Sequence, residues 1–586
     1  MLKTKRHRCF SFVTDLTDHP SFCRYGNNLI HTYAGPSMIT INPCHPLAIY
    51  SEKIVQMFKG CKLEDMPPHI YSAGQMAYRT LMSTKKDQSI AFIGRSGSGK
   101  STNFRHVLSY LTQVAGSVNN ILTVARLNAI NSLLEAFGNT RTIMNANATR
   151  FSQIFSIDFD HSGVIASASV QVLMLEKTRV VRRPEGEPNF NIFYQMLAGL
   201  DTRTKRDMQL DNLSEPNMFM TPLQRSEDKA AAAQAFVRLG QAAEQLDITH
   251  PELRALWSVL AAIYHLGTAG VGKSNLGRAG FARPPSAQKA AHCLGISVEE
   301  LSRAIFQGSV SSGTLNRTRH KNDANAVADG LEALEGFVVG LYSEVFTVLL
   351  SLINRAIASP AHTAASIIVV DTPGFQNPAT CGRPAGATFE ELCHNYGQER
   401  LQLMFHDKTI TALKERYESE QIEVPDLEDL TEICTPQPLI RLIDKQSMAR
   451  ASQSDLHQTD KRGLLWLLDE EAIFPGASDE SFVERLMLQY GDRTGDDLIK
   501  KGPGENNFIL QHFQGTNPVL YNASGWLKAS RESPISKTAV QLLHESADKG
   551  LADLFLKYRS GVNTTMSGSI VGVEGSQSLR RASSIR

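Results

Sequence analysis

The chain has 586 residues, enough for several domains, and its 42% hydrophobic and 20% charged content is that of an ordinary globular protein. A net charge of +1 gives bulk electrostatics no reason to recruit nucleic acid or a membrane surface. The eight cysteines are scattered without a CxxC pair, which suits reduced thiols, and the basic start MLKTKRHRC lacks the apolar run of a signal peptide.

Residues 1–30 hold little pattern. Ile39-Thr40-Ile41 reads as a short strand ending in the turn Asn42-Pro43, with Tyr50 further on. Lys53–Phe58 reads as a helix, Met66–Tyr71 as a turn, and the stretch through Met82 as another helix. Next comes SIAFIGRSGSGKST: a buried strand (Ile90, Ala91, Phe92, Ile93), a glycine-rich loop and a helix start. Gly94-Arg95-Ser96-Gly97-Ser98-Gly99-Lys100-Ser101-Thr102 fits the phosphate-binding pattern GxxxxGK[ST]. Glycines let consecutive backbone N–H groups converge on one anion, and the helix N-terminus adds positive potential. Lys100 is placed to reach the outer phosphates, and the Ser101 hydroxyl to ligate Mg²⁺.

A helix over Ile121–Phe137 is followed by the polar segment Asn145–Phe151. Ile154–Phe159 and Ser169–Leu175 alternate around His161-Ser162-Gly163 and read as a hairpin. Residues 201–335 read as largely helical. Gly267–Ser274 also matches GxxxxGK[ST], but Leu253–Leu266 before it has helical periodicity, so a second phosphate site is not expected. Phe337–Ile353 is the most membrane-like run; Glu344 in its middle makes it a buried helix of a soluble core. The run SIIVV reads as a buried strand ending in Asp371-Thr372-Pro373-Gly374. A strand-terminal Asp followed by xxG is what a P-loop protein uses to hold the Mg²⁺ water shell and sense the γ-phosphate. Phe389 to about Glu420 reads as one long helix, Gly463–Glu471 as another, and Phe508–Phe513 and Pro518–Tyr521 as strands. From Ser560 the chain turns Ser/Gly-rich and ends in Arg580-Arg581-Ala582-Ser583, a pattern basophilic kinases accept. The seventeen histidines show no HExxH spacing, so no zinc is expected.

Taken together these pieces resemble a myosin motor domain. NP with Tyr50 is similar to the myosin purine-binding loop, MPPHIY to the peptide before the P-loop, and LEAFGNTRT to the family's LEAFGNAKT. Asn145–Phe151 resembles switch I, DTPGFQ switch II, and FEELCHNY the start of the relay helix; GWL at 525–527 also has its counterpart. The resemblance runs from about residue 12 to about residue 560. It implies an α/β fold: a P-loop NTPase core with a mixed central sheet flanked by helices, carrying large helical actin-binding subdomains. The expected division is 31–205 for the purine loop, P-loop and switch I, 206–365 for the upper actin-facing region, 366–559 for switch II, relay helix and lower actin-facing region, and 560–586 for a disordered surface loop. It implies that Asn42, Pro43 and Tyr50 frame adenine, that Asn145, Asn147 and Arg150 lie near the phosphates, and that Thr149 is the second Mg²⁺ ligand beside Ser101. Phe474–Gln489 would be the helix-loop-helix that touches actin. ATP or ADP with Mg²⁺ and actin filaments are the implied ligands, in the cytoplasm on the actin cytoskeleton, without nucleic acid or membrane insertion.

Three departures shape the expected activity. Arg95, Ala148 and Gln376 stand where myosins generally carry Glu, Ser and Glu. The switch II Glu normally pairs with the switch I arginine, so Arg150 is expected to face a neutral amide here. Such substitutions are similar to those of class XVIII unconventional myosins and imply nucleotide binding with little or no hydrolysis. An active actin-stimulated ATPase is the alternative, and a GTPase switch a third reading, since Thr84-Lys85-Lys86-Asp87 matches [NT]KxD, though upstream of the P-loop. No converter, light-chain site or heptad tail is found, so the chain reads as a fragment of a longer one; a full-length protein dimeric through a tail is compatible with the resemblance.

Overall fold

The computed structural model describes residues 24–35, 37–273, 277–307, 326–422, 435–445, 462–491, 498–514, 518–531 and 533–558. Most of the expected N-terminal segment, at 1–23, and the tail from 560 with Ser583 lie outside them.

The chain divides into two compact units, and each is built from non-contiguous pieces. The first combines Met1–Val114, Ile143–Ala148 and Ile367–Arg531. It opens with the antiparallel pair β1 (His31–Ala34) and β2 (Ser37–Thr40), then helices α1 (Glu52–Phe58) and α2 (Ile70–Thr84). α2 begins at Ile70, inside the expected turn, because His69 is extended and its ring nitrogen accepts the Tyr71 N–H at the helix start. β3 (Gln88–Ala91) feeds the glycine-rich loop and helix α3 (Lys100–Ala115). β3 pairs in parallel with β4 (Ala365–Asp371), Val369 opposite Ile90, so that both strands end beside one another. This register carries the loop after β3 and the loop after β4 to the same sheet edge, where ligands of open α/β sheets bind.

After β4 comes α4 (Phe389–His406), capped by Thr388 and Glu391 in a reciprocal box. The expected single helix to Glu420 is interrupted by a π-turn at Asp407–Thr411 before Ala412–Ser419. The rest of the unit holds α5 (Gln437–Asp444), α6 (Leu464–Ile473), α7 (Asp479–Tyr490), the antiparallel sheet β5 (Ile499–Lys501), β6 (Asn507–Leu510) and β7 (Val519–Asn522), and α8 (Trp526–Ser530). Their apolar faces close on one core around Trp526, with Phe389, Phe482, Phe508 and Leu467. β5 has only three residues, too few for an alternating pattern to be legible.

The second unit comprises Ala115–Thr142, Thr149–Ser366 and Glu532–Arg586. Its antiparallel hairpin pairs Ser152–Phe159 with Ile165–Leu173; the hairpin is the expected one, but its second strand starts four residues before Ser169 and ends two before Leu175. The helix Ala326–Ile357 is long and apolar enough to cross a membrane, but 67% of its most apolar window is buried inside the protein. Phe337, Leu341, Val345 and Leu349 are fully buried, so the expected core helix is what the chain makes of this run. The second GxxxxGK match is spent on a helix end. Gly267 lies within His250–Ala269, Gly270 ends that helix, and Val271–Lys273 pairs with Ala279–Phe281. A Cβ on Gly267 would sit 2.4 Å from the Asn217 side chain, so that glycine serves helix packing. Ser274 lies outside the described residues.

Candidate functional site

The glycine-rich loop adopts backbone that only glycine takes easily: φ is +150° at Gly94, +81° at Gly97 and +88° at Gly99. The Ser98 N–H turns back to the Arg95 carbonyl at 3.1 Å. Lys100 is 8% exposed, and its ammonium donates to the Arg95 carbonyl at 2.8 Å. The Ser101 hydroxyl donates to Asp371 at 2.6 Å. Two residues expected to serve one Mg²⁺ therefore meet directly, although 270 positions separate them. The other carboxylate oxygen of Asp371 is buried with no hydrogen-bond partner among the described residues. An orphaned anionic oxygen beside a hydroxyl suits a hydrated divalent cation, so the residues present fit Mg²⁺.

Burial pushes the Lys100 amine down to about 8, against the pull of Asp371. Burial likewise raises the Asp371 carboxyl, opposed by the Ser101 hydrogen bond and Lys100. Above pH 8, where the amine is neutral, an incoming phosphate has to bring a proton onto Lys100. Phosphate affinity should therefore be full below pH 8 and fall as pH rises through 8, by at most roughly tenfold per pH unit. Pyrophosphate titrations at pH 7, 8 and 9 check this, and Lys100→Met should abolish the slope along with binding.

The segment after β4 docks on the phosphate loop. Phe375 N–H donates to the Gly94 carbonyl at 3.1 Å, and Ser96 N–H to the Phe375 carbonyl at 3.0 Å. Gly374 passes so close that a Cβ there would lie 2.3 Å from the Ser96 nitrogen. Gln376 is 1% exposed; its side-chain amide donates to the Gly374 carbonyl at 2.7 Å. Its backbone is held on both sides by Asn395, at 2.6 Å and 2.8 Å. Gln398, fully buried on α4, staples both loops: it accepts the Gly94 N–H at 3.0 Å and donates to the Pro373 carbonyl at 2.9 Å. Nothing in the sequence pointed to Gln398 or Asn395, apart from their place in the relay-like helix.

The loop carrying Asn42, Pro43 and Tyr50 is tied to the same site. Asn42 donates to the Gly97 carbonyl at 2.7 Å, and its oxygen accepts the Cys44 N–H at 3.0 Å. His69 holds the Ile49 carbonyl at 3.0 Å, and the Tyr71 hydroxyl donates to the Tyr50 carbonyl at 2.9 Å. The Tyr50 ring stacks on His106 of α3, 3.6 Å apart and 9° from parallel. Burial, then His69 and Arg105, lower the His106 imidazole to about 4, so it stacks as the neutral ring. Sequence reasoning missed His106; its place on the helix that starts at Lys100 was the available signal.

Of the polar segment, Asn145, Asn147 and Ala148 belong to the first unit and Thr149 and Arg150 to the second. Asn147 N–H caps the Asn145 side chain at 3.0 Å, and Ala148 offers a buried methyl, 2% exposed. Arg150 requires a correction. It has a carboxylate, Glu176, in its own unit, and both side chains are buried. Arg179 shares that carboxylate at 3.0 Å and reaches Glu187 at 2.9 Å. The expectation of an arginine left with a neutral amide came from two motifs; Glu176 belongs to neither.

The first unit thus brings a glycine-rich loop, a buried lysine, a strand-terminal acid and a stacked aromatic pair to one place. The myosin head (motor domain) family model matches residues 19–584. Unconventional myosin-XVIIIa of Mus musculus is 46% identical over 581 residues, covering 96% of this chain and 28% of the relative. Unconventional myosin-XVIIIb of Homo sapiens is 37% identical over 580 residues, covering 96% of this chain and 22% of the relative. The chain thus spans about a quarter of the length of these curated relatives.

Proposed function

The chain belongs to the myosin head (motor domain) family, with its likeness to class XVIII, and from that membership we propose a nucleotide-binding actin tether with little or no ATPase. The observation that carries this reading is Gln376. Its neutral amide is turned back on Gly374, while the cradle of Lys100, Ser101 and Asp371 is intact. The cradle binds phosphate; what the substitutions remove is the acid at switch II and the hydroxyl at Ala148.

In this reading Gly94–Thr102 wraps the phosphates of ATP or ADP, Asn42, Pro43 and Tyr50 frame the base, and Asn145, Asn147, Thr149 and Arg150 close the phosphate side. Ser101 and Thr149 would hold Mg²⁺, Asp371 would hold its water, and Gly374 would sense the outer phosphate. Mg²⁺ when bound neutralises phosphate charge. Actin contact is supported by the turn between α6 and α7. Ile473, which ends α6, and Phe474 after it are 82% and 61% exposed among the described residues, an apolar tip. The proposed location is the actin cytoskeleton of the cytoplasm, without nucleic acid or membrane insertion.

Fluorescent ATP and ADP binding, with phosphate release measured with and without actin filaments, tests the proposal. Binding without release, and sedimentation with filaments, is expected. Actin-stimulated release at motor-like rates sinks it, and preference for GTP over ATP sinks the adenine assignment. The double variant Gln376→Glu with Ala148→Ser should raise phosphate release at least tenfold, since positioned proton-transfer groups contribute roughly 10²–10⁴-fold. An unchanged rate would mean that these two positions are not what limits hydrolysis.

A further inference from the structure

Arg95 sits inside the glycine-rich loop, and its side chain is engaged away from Lys100 and Ser101. The guanidinium donates to the Thr380 hydroxyl and approaches the Cys381 sulfur at 3.7 Å. Neither partner is a carboxylate. The Thr380 hydroxyl spends its own proton on the Asn377 carbonyl at 2.7 Å, so toward Arg95 it acts only as an acceptor. Both belong to a strap that follows switch II: one tight turn, Pro378–Cys381, ended by Gly382 at φ +92°. The turn holds itself by Thr380 N–H to Asn377 at 3.1 Å and Arg383 N–H to Pro378 at 3.2 Å. Beyond it the chain is anchored again, by the Arg383–Glu391 pair and by Ala387 bonded to Leu520 at 2.7 Å. The Arg95 side chain is thus the strap's tie to the phosphate loop at its middle.

The same residue touches the cradle from the other side. Its backbone carbonyl receives the Lys100 ammonium at 2.8 Å, so the amine that meets the outer phosphates lies against Arg95 itself. Its backbone is further held by the Ser98 N–H and by the bridge to Phe375. The loop can therefore keep its shape while the side chain changes partner. A guanidinium bond to an anionic phosphate oxygen is about twice as strong as one to a neutral acceptor. The direction of the exchange follows from that difference.

We propose that Arg95 is a triphosphate-sensing residue: it leaves Thr380 for the terminal phosphate of a bound nucleoside triphosphate and so releases the 378–382 strap. A diphosphate, lacking that group, leaves the latch closed. The proposal rests on the nucleotide-binding reading and adds to it a discrimination between ligand states and a segment that reports it. The latch converts occupancy of the outer phosphate position into order or disorder of a strap beside switch II, without requiring hydrolysis.

Hydrogen exchange at 378–383, with Mg²⁺ and either ADP or a non-hydrolysable ATP analogue, tests it together with affinities for both ligands. The analogue should speed exchange at Thr380 and Arg383 several-fold over ADP. Arg95→Ala should exchange fast with every ligand and lose about tenfold more affinity for the analogue than for ADP. Thr380→Val, which removes the competing acceptor, should shift affinity the other way and tighten the analogue a few-fold. Equal loss of ADP and analogue affinity in Arg95→Ala would overturn the proposal, as would strap exchange that does not distinguish the two ligands. Wild-type protein that binds neither ligand would overturn the nucleotide reading itself, and the latch with it.

Discussion

Glu176→Gln should lower the stability of the second unit by about 3–5 kcal/mol, the usual cost of removing one partner from a buried ion pair. Arg150 and Arg179 have 1% side-chain exposure and both reach this one carboxylate, itself 4% exposed. Burial opposes the charge on Arg179, and Glu176 with Glu187 outweighs it, so the guanidinium is held more firmly charged than usual. Without Glu176, Arg179 keeps Glu187 at 2.9 Å, and the loss falls mainly on Arg150. Glutamine keeps the shape and removes the charge, so the effect is electrostatic rather than a cavity. At roughly 2–4 °C per kcal/mol for a unit of this size, the Tm should drop by roughly 10 °C. Arg150→Met should cost less, because Glu176 would keep Arg179. A Glu176→Gln shift smaller than that of Arg150→Met would remove Glu176 from its place as the shared carboxylate. The Arg150 N–H to Gly138 at 3.0 Å and the Glu176 N–H to Arg150 at 2.9 Å add backbone ties, so the pair also positions the segment carrying Thr149.

Gly374→Ala should weaken ADP and pyrophosphate binding by at least about a hundredfold, the loss expected when a preorganised phosphate site is pulled apart. A Cβ there meets the Ser96 nitrogen at 2.3 Å, the Lys100 amine at 2.4 Å and the Arg95 carbonyl carbon at 2.5 Å. Lys100 could swing aside, but the other two atoms are backbone of the phosphate loop. Relief therefore breaks the Phe375–Gly94 and Ser96–Phe375 hydrogen bonds or displaces the ammonium from the cradle. Gly97→Ala offers a contrast. Its Cβ would meet only the Met144 carbonyl, at 3.4 Å, and its cost comes from φ +81°. It should lower stability by about 1 kcal/mol and leave more of the affinity. Fluorescent ADP titration with melting curves separates the two effects. Affinity in Gly374→Ala within threefold of wild type would mean that the loops yield at this contact.

Much of the first unit's site was legible because phosphate chemistry demands particular residues at close spacing. Gly94, Gly97, Gly99, Lys100 and Ser101 are adjacent in sequence, and the loop they form needs positive φ at three positions. Asp371 was legible for a related reason: an apolar β-branched run that stops on an acid marks a strand end. Parallel pairing of Val369 with Ile90 then carries the two signals to one edge. The two decoys were also readable, since Leu253–Leu266 and Phe337–Ile353 carry helical patterns and both became buried helix.

The sequence by itself thus determined the family, the glycine-rich loop after one strand and the acid that ends another, and it singled out Arg95, Ala148 and Gln376. Only the tertiary structure decided what those positions touch. Arg95 reaches Thr380 across 285 positions, Gln398 reaches Gly94 across 304, and Tyr50 finds its stacking partner on another element. Arg150 meets Glu176 at a spacing of 26, because the paired strands between them bring the two ends of the hairpin together. Units assembled from three separate pieces of chain make most such contacts long-range. A local pattern constrains backbone over a few residues, because dihedral preferences and helix or strand periodicity act there. Which carboxylate neutralises which arginine depends on the packing that buries them together, and that is a property of the folded chain.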